Sequence, residues 1–347
     1  WIEGPHILKH EGFYYLIAAE GGTSEGHSEV VFRSEQVTGP YQSYQHNTIL
    51  TQRHLSADRP HPITSTGHAD FVQTQTGEWW AVFLGTRPYV GNHYNTGRET
   101  FMAPVTWSGG WPHIDLGGEE VKRHYPAPGQ VARDSTGFRY GGTIHFRDQF
   151  EQTALNTNWV QLRSPATRWY ALQEGKLLLN TRPETCEGTS NPSFIGHRQQ
   201  HMHSEASVQL SFSPDNRHEK AGLLIFQNES HYYYLAKSVD PRGQHLLELY
   251  TAQGQSATLH TSVAITDDPI KLKIKSAGAY YHFYYQQDGS EWESLAERLD
   301  ATQLSTATAG GFVGCIYAMY TTSNGASSTN QAAYDWFEYT GKDALTP

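Results

Sequence analysis

Cysteine is scarce in this chain: Cys186 and Cys315 are the only two among 347 residues. A disulfide-stapled fold needs several spaced pairs, so that class is excluded, and the two isolated thiols read as small buried hydrophobes. Long apolar runs are missing as well, since no stretch approaches the roughly 18 apolar residues of a membrane-spanning helix. Basic runs are absent and the formal net charge is −10. Nucleic acid and anionic membrane surfaces both demand clustered Lys and Arg, so neither is expected as a partner. No phosphate-binding loop or dinucleotide fingerprint occurs, and "SEGHS" and "STGHA" lack the order of a nucleophile elbow. The 19 histidines include His54 and His61 with Asp58 between them. None has the spacing of a well-defined zinc centre, so zinc is not expected.

Helical periodicity is also hard to find. In its place, short aromatic and β-branched runs alternate with Gly, Pro, Asn, Asp and Ser turns, which predicts an all-β protein. Aromatic residues make up 13% of the chain, enough for a folded, Tyr- and Trp-rich core. The length exceeds one ordinary core, so two domains are expected.

The first 125 residues contain an internal repeat. "HILKHEGFYYLIAAEGG" places Gly12, Tyr14 and Tyr15 in a strand-turn-strand unit, and "ADFVQTQTGEWWAVFLGTR" places Gly77, Trp79 and Trp80 in the same order 65 positions later. Each unit is preceded by a Gly and a His (Gly4 with His6, Gly67 with His68) and followed by further strand-like runs, "SEVVFRS" and "ETFMAPVTW". Such units read as blades of a β-propeller, or else as two similar hairpins of one sandwich. Propellers typically close with 4 to 8 blades. The propeller reading therefore predicts further blades upstream of Trp1, about three for a five-bladed ring.

The stretch "RHYPAPGQVARDSTGFRYGG" has linker composition. Beyond it, "SEASVQLSFSP" alternates Val208, Leu210 and Phe212 with polar residues, and "IKLKIKSAG" alternates Ile270, Leu272 and Ile274 with lysines. Asp288-Gly289 marks a hairpin turn. Many short strands over 200 residues predict a jelly-roll sandwich without internal repeat. The expected domains are 1–142 and 143–347.

Candidate chemistry sits at strand mouths. Glu3 precedes Gly4-Pro5-His6, where glycine permits a sharp turn and proline stiffens the backbone. Thr23 and His27 lie in "EGGTSEGHSEV", His68 in "TGHAD" and Arg98 in "NTGRET". Junctions on one rim of a repeated scaffold converge on one pocket. The plain alternatives are a solvated glutamate at Glu3 and a surface ion pair between Arg98 and Glu99.

The run "EGPHILKHEGFYYLIAAEGGTSEGHSEVVFRSEQVTGPY", followed in order by "GHADFV", "LGTRPY" and "GRETF", resembles family 43 glycoside hydrolases of the β-xylosidase type. The resemblance spans essentially the whole chain. It implies the last blades of a five-bladed propeller carrying the sugar site, followed by a concanavalin-like β-sandwich. It also implies an inverting exo-hydrolase releasing xylose, or arabinofuranose, from non-reducing ends of xylo-oligosaccharides or arabinoxylan fragments. The general acid falls on Glu3. The histidine near the propeller centre falls on His68, linked through water to a calcium ion, and the substrate-side arginine falls on Arg98.

The aspartates that serve such enzymes as general base and as tuner of the acid have no counterpart in the motifs of this chain. Inversion needs two carboxylates about 6.5–9.5 Å apart, one protonating the leaving oxygen and one activating water. The chain alone is therefore expected to be inactive and to need the N-terminal portion of the same enzyme. The alternative is a non-catalytic carbohydrate-binding fragment, since Tyr- and Trp-rich surfaces suit sugar stacking.

Overall fold

Strands follow the turn chemistry of the sequence almost throughout. The structure, a computed structural model, describes residues 1–126, 128–129, 142–287 and 289–343. Its helical content there is one short 3-10 turn, Thr302–Leu304, and a four-residue helix, Thr306–Ala309. No helix among the described residues is long and apolar enough to cross a membrane. Most of the linker-like stretch, and Asp288 of the expected hairpin turn, lie outside the described residues.

Two compact units emerge: Trp1–Asn92 with Arg98–Phe138, and His93–Gly97 with Arg139–Pro347. The first holds two antiparallel sheets. One runs β1 (Ile2–His10), β2 (Phe13–Glu20), β3 (Ser28–Ser34) and β4 (Gln42–Ser43), with β5 (Leu50–Thr51) also on β3. The other runs β6 (Thr64–Gln73), β7 (Trp79–Thr86), β8 (Glu99–Ser108) and β9 (Trp111–Ile114). The repeat is visible in the backbone: Gly12 and Gly77 turn the two leading hairpins with φ of 87° and 88°, values that favour glycine.

Alternation along β2 and β7 buries Tyr15, Ile17, Ala81 and Phe83 in one core shared by both sheets. Two polar contacts complete that join. The Tyr15 hydroxyl donates to the Gly110 carbonyl at 2.7 Å, and Arg33 donates to the same oxygen at 3.0 Å while its guanidinium lies 4.4 Å from the Trp111 ring.

The second unit packs an eight-stranded sheet against a six-stranded one. The eight-stranded sheet holds β10 (Ile144–Asp148), β11 (Tyr170–Gln173), β12 (Lys176–Asn180), β14 (His203–Ser211), β19 (Ile270–Ala277), β20 (Tyr280–Gln286), β21 (Glu293–Asp300) and β23 (Gln331–Gly341). The six-stranded sheet holds β13 (Ser193–Arg198), β15 (Lys220–Asn228), β16 (His231–Val239), β17 (His245–Gln253), β18 (Thr258–Ala264) and β22 (Ile316–Thr322). Val208, Leu210, Phe212, Ile270, Leu272 and Ile274 all enter the core between them, as their alternation predicts. Cys186 and Cys315 are both free and buried, and burial pushes each thiol up to about 12.

One internal segment groups apart from its sequence neighbours. His93–Gly97, from the connection between β7 and β8, belongs to the second unit. The Asn95 carboxamide donates to the Tyr281 hydroxyl at 2.9 Å and the Ala301 carbonyl at 3.0 Å, and the Cys315 amide donates to the Asn95 carbonyl at 2.8 Å. Nothing in the local composition of "HYNTG" announces a partner some two hundred residues away.

Phe337 is fully buried with its ring centroid 4.9 Å from that of Trp159. Phe337→Ala should cost about 3–5 kcal/mol in urea unfolding, and a loss below about 1 kcal/mol would contradict this packing. His197 sits beside the Phe146, Trp159, Phe337 and Tyr339 rings. Burial pushes its imidazole down to about 4 from 6.5. The unfolded chain therefore binds the extra proton first, and stability present above pH 6.5 is lost as pH falls toward 4. Equilibrium unfolding of His197→Phe should lack that segment of the acid slope. An unchanged slope would contradict the assignment.

Candidate active site

The edge strands β1 and β6 share an irregularity. Antiparallel register with β2 shifts between Glu3 and His6, and register with β7 shifts between Gly67 and Asp70. Both bulges carry a left-handed residue, Gly4 at φ 55° and His68 at φ 56°. Bulges re-aim side chains, and these two lie 64 positions apart, one short of the 65-residue spacing of the hairpins. His68 thus stands inside strand β6 rather than ahead of it as its sequence context suggests.

The outcome is a convergence. Glu3, His27 and His68 each present one donor or acceptor atom, and all three atoms lie within 4.8 Å of one another. Glu3 and His68 are exposed and His27 is buried. Glycines make the approach feasible. A Cβ on Gly4 would stand 2.2 Å from His68 Nε2, and one on Gly67 would stand 2.9 Å from the His27 ring.

Burial holds the His27 imidazole below its usual value, helped by the Arg98 and His68 charges and opposed by its Ser65 carbonyl contact and by Glu3. Arg98 therefore belongs to the same electrostatic neighbourhood. Glu99, the partner that a surface ion pair for Arg98 would use, makes a bidentate pair with Arg87 at 2.8 and 2.9 Å. Thr23, His54, Asp58 and His61 are exposed and lie outside the three-residue group.

Beneath the rim lie polar atoms without hydrogen-bond partners among the described residues: His27 Nε2, Glu29 Oε1 and Thr66 Oγ1. His27 Nδ1 meets the Ser65 carbonyl at 3.0 Å. A neutral ring donating there keeps Nε2 as an acceptor, suited to a hydroxyl-rich ligand. Glu29 and Thr66 were not foreseen, because a lone acid in "HSEVVF" and a threonine in a strand carry no motif. Burial pushes the Glu29 carboxyl up to about 8, against the Ala69 and His68 amides.

The comparisons with known proteins agree with one another. Residues 1–112 match the family described as "Glycosyl hydrolases family 43", and residues 147–340 match "Beta xylosidase C-terminal Concanavalin A-like domain". The chain belongs to glycoside hydrolase family 43. Within that family it is of the β-xylosidase type. It is 34% identical over 342 residues to a "Xylosidase/arabinosidase" of Butyrivibrio fibrisolvens, covering 97% of this chain and 64% of that protein. It is 33% identical over 344 residues to a "Non-reducing end alpha-L-arabinofuranosidase" of Bacteroides ovatus, covering 97% of this chain and 62% of that one. The solved structure "Bacteroides ovatus Xyloglucan PUL GH43B" superposes with a TM-score of 0.88 at 32% identity, over 98% of this chain and 66% of that one. The chain thus spans a little under two thirds of the length of these relatives.

Proposed function

We propose that this chain forms part of an inverting exo-glycosidase that removes terminal xylose, or arabinofuranose, from the non-reducing ends of xylo-oligosaccharides. The observation that carries the reading is the convergence of Glu3, His27 and His68 on one point beside Arg98. In it Glu3 is the general acid and protonates the departing glycosidic oxygen. Arg98 and His68 hold sugar hydroxyls, and His27 Nε2 accepts from one of them.

The two sheets of the first unit are the last blades of a five-bladed propeller. Support comes from their matched hairpins and from Val72, Val82 and Met102, apolar side chains left exposed on the second sheet. The second unit is a concanavalin-like jelly-roll sandwich.

Glu3 is the one carboxylate in the group, so the water-activating base comes from polypeptide beyond the motifs of this chain. The 347-residue chain alone should release no xylose from xylobiose while still binding it. Full turnover by the isolated chain would overturn that part of the account.

The calcium ion that the family likeness implies would need six to eight oxygen ligands. Two imidazoles and one carboxylate do not supply them, so the cluster fits such an ion only at a distance, through water. No step passes through it. The separating experiment is Glu3→Gln, assayed for hydrolysis in the competent enzyme and for sugar binding by calorimetry. Lost hydrolysis with retained binding supports the reading. Unchanged hydrolysis moves the acid elsewhere.

A further inference from the structure

A carboxylic acid with no accessible surface sits at the second position of β3, just ahead of Val30 and Val31. Glu29 is shut off from solvent and forms no ion pair among the described residues: its Oε2 accepts the backbone N–H of Ala69 at 2.9 Å. Burying a carboxyl is costly unless it serves a partner that nothing apolar could serve.

That partner exists because of the bulge in β6. Gly67 pairs with Leu84 and Asp70 with Val82, so the two intervening residues, His68 and Ala69, oppose the single residue Phe83. A buried amide at such a break needs a substitute acceptor. Ala69 has no exposed surface, and Glu29 provides the acceptor. The preceding residue is His68, held at φ 56°, a conformation that non-glycine residues adopt only when their surroundings impose it. The ring this turn projects then lies against Gly4, next to Glu3.

We propose that Glu29 is a positioning residue, which fixes the left-handed turn at His68 through the Ala69 amide and so holds the His68 ring beside Glu3. The proposal rests on the reading of Glu3 as proton donor for its kinetic consequence, though not for its structural one. Glu29 touches neither sugar nor reacting atoms. Its action is indirect: displacing a group at the reacting centre by about 1 Å costs on the order of 100-fold in rate.

Three variants of the competent enzyme test this. Glu29→Leu keeps volume but removes the acceptor, and kcat on xylobiose should fall about 10- to 100-fold with KM changed less than about threefold. Glu29→Gln keeps a carbonyl for Ala69 and copies the protonated acid, so it should restore kcat to within about threefold. In a His68→Ala background, Glu29→Leu should add less than about twofold, because both changes act on one element. Equal damage by Leu and Gln, or a full additional loss without His68, overturns the proposal.

Two readouts need no turnover. In the unmutated chain the Ala69 amide should exchange with deuterium as slowly as core strand amides, even if Glu29→Leu fails to fold. Rapid exchange overturns the proposal. In 15N-histidine spectra, Glu29→Leu should move the His68 ring signals and leave those of His197 and His201 in place, whether or not Glu3 proves to be the acid. Unmoved His68 signals in folded Glu29→Leu protein overturn it too.

Discussion

Glu3→Gln should lower xylobiose hydrolysis by the competent enzyme about 10²–10⁴-fold, the range that a general acid contributes, and should leave xylobiose affinity almost unchanged. Glutamine keeps the size and hydrogen bonding of the protonated acid but holds no transferable proton. The departing sugar of xylobiose is a poor leaving group and must be protonated as the bond breaks. On the proposed reading the sugar hydroxyls, in contrast, are held by Arg98, His68 and His27, none of which the substitution changes. An equal fall in affinity and turnover would instead make Glu3 a binding group.

The second large effect is expected at Gly4→Ala. The added methyl would stand 2.2 Å from His68 Nε2 on a backbone with φ of 55°, so ring or strand must move. Because that ring belongs to the group around Glu3, kcat should fall on the order of 100-fold, the typical cost of misplacement by about 1 Å. Gly12→Ala is the control. Its φ is 87°, but nothing lies within 4 Å of its added methyl. It should lose about 1 kcal/mol of stability from backbone strain and retain activity. Equal activity losses in the two variants would mean that strain in the strands, not the His68 contact, matters.

Much of this was legible in the sequence, and for identifiable reasons. The turn glycines Gly12 and Gly77 define the hairpins because a left-handed corner has few other occupants. The same repeat relates the strand that begins near Glu3 to the strand that holds His68. Alternation along "SVQLSF" and "IKLKI" marks strand residues that do enter the core of the second unit.

Other features depend on contacts that no local pattern encodes. Asn95 reads as a turn residue, yet its carboxamide serves the second unit through Tyr281 and Ala301. Glu29 reads as the polar position of a strand, and only the bulge opposite gives it an amide to accept from. His27 stood among the candidates without a role, since its importance comes from burial and from its nearness to Gly67.

The central claim, that Glu3 is the proton donor of a sugar-cleaving site, is tested most directly by varying the leaving group. Rates of the unmodified enzyme and of Glu3→Gln would be measured on aryl β-xylosides running from dinitrophenyl, which departs without protonation, to unsubstituted phenyl, which does not. The account predicts that Glu3→Gln costs about tenfold or less on the first and at least about 100-fold on the last. A loss of the same size across the whole series would contradict it.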